Sequence, residues 1–254
     1  MQAALFIVVA VVYAVAGILI ARKFLHGKVR EGHNDVLVPI FLTAGTIYAV
    51  LIGFMVVAQW ETFDTVRNNA AEEAANLVPL YRLTNGMQPE HGAKMRVLIR
   101  DYAEAVIKDE WVTQLRGEQS SPARKAIGDM LRSFANLDPQ TRQIDAQIDA
   151  AFLQTVSQIV GERNKRGVQA QESLSWVMWA GAVIGGFFIV GMTFLLYMER
   201  GVPHLIMSSL MAVLIAILLI MIHVLSHPFI GPLALTPEPF EHSMQVFDAV
   251  DKGN

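Results

Sequence analysis

The sequence predicts an all-α integral membrane protein with four transmembrane helices in two hairpins, the second and third of which extend into a helical extramembrane domain. Three observations carry this. Uncharged apolar runs occupy residues 1–21, 36–58, 174–198 and 202–225; each can cross the hydrocarbon, which takes about 20 residues at ~1.5 Å rise. Residues 61–173 hold 14 of the 20 Lys+Arg and 16 of the 23 Asp+Glu, so the polar middle is nearly neutral and the spans carry almost no charge. No segment alternates apolar and polar with a period of two, which leaves no strand signal.

The domain division follows: 1–60 as a first transmembrane hairpin, 61–173 as the extramembrane domain, 174–225 as a second hairpin, and 226–254 as a C-terminal tail. The first run lacks a basic leader and is followed by Arg22 and Lys23, so it is expected to stay as a helix rather than be cleaved. The second continues beyond Ala58 through an Ala-, Glu- and Asn-rich stretch, with a kink expected near Pro79 and a stop at Asn85-Gly86. Residues 89–115 carry a helical face of Val97, Leu98, Tyr102, Ala105, Val106 and Trp111, and Ser121-Pro122 is expected to cap a shorter helix to Phe134. Asp138-Pro139 then opens one long helix that runs into the third span, with Ile144, Ile148, Phe152, Thr155 and Ile159 as its apolar stripe.

Arg22, Lys23, Lys28, Arg30 and Arg200 cluster in the two short turns between paired spans. The positive-inside rule makes those turns cytoplasmic and the middle domain and tail external. A net charge of −3 gives no reason to expect nucleic acid. The chain has no cysteine, which excludes disulfides and thiol chemistry and suits either side of a bacterial inner membrane.

Several of these stretches together resemble the bacterial bestrophin-like membrane proteins: GFMVVAQWETFDTVRNNAAEEAANLVPLYR, YAEAVIKDEW, ERNKRGVQAQESLSWVMW and LSHPFIGPLALTPEPFE. The shared features are Gly53 with Trp60, Glu73-Ala74 with Leu80-Tyr81-Arg82, Glu110-Trp111, Arg163 with Arg166, and Pro228-Phe229 with Gly231. Ser226-His227 stands where an acidic residue is expected before the Pro-Phe pair. The resemblance implies four spans with a helical region between the second and third, and a pentameric ion channel whose pore the second span lines. It also implies a cytoplasmic middle region, opposite to the side the basic residues favour.

Candidate chemistry is sparse. His223 and His227 stand four apart at the end of the fourth span, a spacing that could hold a metal, but no third ligand accompanies them, and an interfacial pair is the simpler reading; His204 reads as interfacial too. Gly181, Gly185, Gly186 and Gly191 suit close helix packing. Thr46, Ala49 and Gly53 line one stripe of the second span, and Ser209, Ala212, Ala216 and His223 one stripe of the fourth; such stripes suit either helix contact or a narrow water path lined by them. No carboxylate lies at mid-membrane, where pumps usually keep one. Glu72 and Glu73 point about 100° apart and cannot flank one bond, whereas equal distances along antiparallel helices bring Glu73 near Arg163 or Arg166 as a structural ion pair. No phosphate-binding, zinc-protease or nucleophile-elbow motif is present, so neither an enzyme nor a cofactor is expected. The leading expectation is a homo-oligomer in the bilayer that passes small inorganic ions, anions by resemblance; the other is a non-conducting scaffold or sensor whose helical domain docks a partner.

Overall fold

A computed structural model describes residues 2–25, 31–114, 120–135, 146–170, 174–199 and 201–253. All regular structure among them is helical. The chain forms two compact units, Met1–Glu61 with Leu174–Ser226, and Thr62–Ser173 with His227–Asn254.

The membrane unit contains α1 (Gln2–Leu25), the first part of α2 (Asn34–Leu83), α6 (Trp176–Thr193) and α7 (Gly201–Leu225). Each of the four is long and apolar enough to cross a membrane. The most extensive helix pairing in this unit is that of α1 along α7. Its core is built from Ala14, Tyr48, Ile52, Met55, Ala182, Ile189, Val190, Ala212, Ile215 and Ile222. Helices approach closely where side chains are small: Tyr48 lies so near α6 that a methyl group on Gly185 would come within 2.7 Å of its ring, and the Tyr48 hydroxyl donates to the Ala182 carbonyl at 2.9 Å. His204, at the start of α7, is buried, and its Nε2 donates to the Thr193 carbonyl at 2.7 Å, which also accepts from Leu196 N at 3.3 Å. The Asn34 side chain exchanges two hydrogen bonds with the Tyr197 backbone, and Arg22 donates to the Met198 carbonyl at 3.4 Å. The end of α1 and the start of α2 therefore meet the segment that follows α6; Lys28, Arg30 and Arg200 lie outside the described residues.

The second unit contains the remainder of α2, α3 (Pro89–Ala105), a π turn (Val106–Glu110) that passes into a last helical turn, Trp111–Thr113, α4 (Ser121–Ala135), α5 (Ala146–Gln169) and α8 (Glu238–Asp251). As the sequence suggests, α2 is unbroken from Asn34 to Leu83 and yields to a 3-10 turn over Thr84–Gly86. Pro89 opens α3 because its fixed φ fits the first turn and its missing N–H would have had no partner. Two expectations need correction. The cap of α4 is Ser120, whose Oγ accepts from Ala123 N at 3.5 Å, not Ser121. The third span is not one continuous helix with α5: α5 ends at Gln169, and Ser175, whose Oγ accepts from Val177 N at 3.3 Å, starts α6 afresh. A serine that bonds the backbone ahead of it offers an alternative to continuing a helix, even without proline. The Asp138-Pro139 start and Ile144 lie outside the described residues.

The segment read as a tail forms part of this second core. In α8, Phe240 and Phe247 are fully buried. Phe247 stacks on Tyr81 at 4.2 Å, Ser243 Oγ donates to the Ala74 carbonyl at 2.8 Å, and Asp248 and Asp251 meet Arg100 at 2.8 Å each.

Candidate functional site

The second unit buries a five-residue polar cluster whose members come from four elements. Glu73 projects from α2, Tyr102 from α3, Glu110 from the end of the π turn, and Arg163 and Arg166 from one face of α5. All are buried, Arg163 being the most exposed at 5%. Arg166 and Arg163 share that face because they are three residues apart, in line with Phe152 and Ile159 of the same stripe.

The bonds form a chain. Tyr102 Oη donates to Glu73 Oε1 at 2.6 Å; Arg166 Nε donates to Glu73 Oε2 at 2.8 Å, and its Nη2 to Glu73 Oε1 at 3.1 Å and Glu110 Oε1 at 2.9 Å. Arg163 Nε reaches both Glu110 oxygens at 3.0 and 3.1 Å, and its Nη2 donates to Glu110 Oε2 at 2.5 Å and to the Ser120 carbonyl at 3.3 Å. Two carboxylates thus face two guanidiniums. Arg166 Nη1 has no hydrogen-bond acceptor among the described residues, but the guanidinium lies over the rings of Trp111 at 5.5 Å and Phe240 at 6.0 Å, where π faces attract cationic charge.

Protonation follows from burial and pairing. Burial pushes the Glu73 carboxyl up, against the opposing pull of Arg166 and the Tyr102 hydrogen bond. Burial, and then the neighbouring Glu73 charge, push the Tyr102 phenol well above its usual range. For Arg166 and Arg163 burial favours the neutral form, but the adjoining carboxylates outweigh it and raise both. The phenol therefore stays a donor and the guanidiniums stay charged. No carboxylate oxygen of the cluster is exposed, and its ion pairs join α2 and the π turn to α5.

Glu73 is brought to Arg166, while Arg163 is taken by Glu110. Sequence reasoning did not assign Glu110 or Tyr102 to this pairing. Eight residues leave the two about 80° apart around an α-helix, and the π turn between them brings them closer into line. In the membrane unit, Thr46, Ala49 and Gly53 are exposed on α2, and Thr46 Oγ1 donates back to the Leu42 carbonyl at 2.9 Å. On α7 the candidates divide: Ala212 and Ala216 are buried, Ser209 is half-buried and His223 is exposed. The His223 ring sits edge-on to Trp179 at 6.1 Å, and α7 ends at Leu225, so His227 is not on the same helix face. Among the described residues no group of three or more His, Asp or Glu is placed to hold a metal.

Four apolar helices, a separately packed helical unit built from the chain between the second and third of them and from the segment after the fourth, and a buried carboxylate–guanidinium cluster define a class of polytopic all-helical membrane protein. The chain belongs to the bestrophin-like family: the Bestrophin-like domain profile matches residues 8–240. No curated protein sequence matches it. Its fold is similar to that of a bacterial bestrophin homologue from Klebsiella pneumoniae, solved by zinc phasing, at TM-score 0.72 and 12% identity over 96% of each chain. A single-substitution form of that homologue matches at TM-score 0.76 and 10% identity over 99% of each chain, and another at 0.72 and 12% over 97% of this chain and 99% of the other. At these identities the likeness is one of fold.

Proposed function

We propose that this protein assembles as a homo-oligomer in a bacterial inner membrane and provides a passive path for small inorganic ions, anions in preference. The observation that supports it is the α2 stripe: Thr46, Ala49 and Gly53 remain uncovered by the other helices of the membrane unit. This stripe of small side chains, uncharged and flanked by the exposed Leu42, Val50 and Val57, suits close contact with other copies or a narrow water path between them. No carboxylate lies within the apolar run 36–58 of α2, so the path is read as passive rather than proton-coupled. The anion preference comes from the family resemblance. Ala212 and Ala216, packed in the core, are assigned to helix contact and not to the path.

Chloride efflux from liposomes holding the purified full chain tests this reading. Dissipation of an imposed gradient without added energy is expected; vesicles that stay sealed, with the protein inserted, would overturn it and favour the scaffold. The side of the second unit is proposed to be external, from the basic turns. A cysteine replacing the exposed Val97 is unique in this chain and should react with an impermeant reagent on intact cells; reaction only after lysis would reverse the orientation.

A further inference from the structure

The π turn aims two neighbouring side chains at two different parts of the second unit. Trp111 N–H donates to the Val106 carbonyl, five residues back, instead of to Ile107 as an α-helix would require. Successive α-helical residues turn by about 100°, so eight residues from Tyr102 to Glu110 would leave the two side chains about 80° out of line. The extra residue of a π turn removes about 100° and returns them to within roughly 20°. Glu110 can then join Tyr102 in the buried cluster. Trp111, one residue on, donates from Nε1 to the Leu235 carbonyl at 2.8 Å and sets its ring edge-to-face on Phe229 at 5.3 Å and Phe240 at 5.8 Å. It grips the connector that leads into α8, which is itself closed by a bond from Leu235 N to the Pro228 carbonyl at 2.8 Å.

A π turn is rare and is retained only where something compensates it. Here the compensation is visible on both sides of one peptide bond: Glu110 on Arg163 and Arg166, and Trp111 on Leu235. We propose that residues 106–113 are a two-register switch, held in the π register by paired Glu110, whose return to the α register swings Trp111 off Leu235 and frees the connector of residues 227–237, while α8 keeps its own contacts to Tyr81, Ala74 and Arg100. The element has two discrete arrangements, and the two grips are lost together because one rotation moves both side chains.

Hydrogen exchange on the full-length protein in detergent tests this. In the unmodified protein, the amides of 106–113 and of 229–236 should share one opening that precedes the opening of α2 and α5. In Glu110→Gln, exchange in both segments should rise together, roughly tenfold or more, while α4 keeps its unmodified rate. Unchanged exchange in both segments of the variant, or a rise in only one, overturns the proposal. If the variant unfolds as a whole, the unmodified protein decides: separate openings, or opening of both segments only with the entire unit, would equally overturn it.

Discussion

The two units solve the same problem, holding long helices together, by different means. Among the described residues the membrane unit buries no charged side chain; its buried polar groups are Tyr48, Gln59, Thr193, His204, Ser208 and Ser226. The second unit buries Glu73, Glu110, Arg163 and Arg166. Lipid is as apolar as leucine, so helices within it gain little from burying apolar surface and are held by close packing and a few hydrogen bonds. In water the apolar core already drives association, and a buried ionic cluster adds little net stability while fixing which arrangement forms. The contrast teaches that Tyr48 against Gly185 and Arg166 between two carboxylates are equivalent fasteners in different solvents.

The sharpest way to break the second unit is to remove the centre of its cluster. Arg166→Gln leaves Glu73 buried without its cation, which should cost about 3–5 kcal/mol. Adding Glu73→Gln should recover much of that loss, because Glu110 keeps Arg163. Urea unfolding in mild detergent reads both, and a double variant no more stable than Arg166→Gln would show that the cluster is not energetically coupled.

The matching test in the membrane unit is Gly185→Ala. Its methyl group must displace the Tyr48 ring, at a cost of about 1–3 kcal/mol. Combined with Tyr48→Leu, which vacates the space, it should lose less than the sum of the two single changes. Strict additivity in thermal melting would mean that the ring and the glycine do not restrain one another.

A smaller effect separates surface pairing from buried pairing. Burial opposes charge on Asp251, yet its bonds from Tyr81 and Arg100 hold the carboxyl below its usual value. A group depressed on folding contributes stability above its unfolded pKa, about 3.9, and that contribution fades as pH falls through the lower folded value. The pair is half-exposed, so screening keeps the effect below about 1 kcal/mol. Melting curves of the natural chain and Asp251→Asn should differ at neutral pH and converge in acid; a gap that persists there would assign the difference to packing.

The spans were legible because four apolar runs have one physical reading, and the long α2 because nothing in 59–83 interrupts a helix except Pro79, whose lost hydrogen bond the rest of the helix tolerates. The break before α6 was hidden because a capping serine is also an ordinary helix residue. α8 was hidden because Phe240 and Phe247 read as core residues only when Tyr81 and Trp111 are beside them. At the cluster, the 3.6-residue period placed Glu73 and the two arginines on facing helices, but a single added residue in the backbone, invisible in composition, decided that Glu110 would claim Arg163.

An ion path along the α2 stripe is tested most directly by thiol chemistry. Because the chain lacks cysteine, Gly53→Cys and Phe188→Cys each supply a unique thiol, the first on the stripe and the second exposed on α6. Currents recorded across planar bilayers while a charged thiol reagent is added should change for Gly53→Cys and stay constant for Phe188→Cys. Equal insensitivity of both, or no current from the unmodified chain, would contradict such a path.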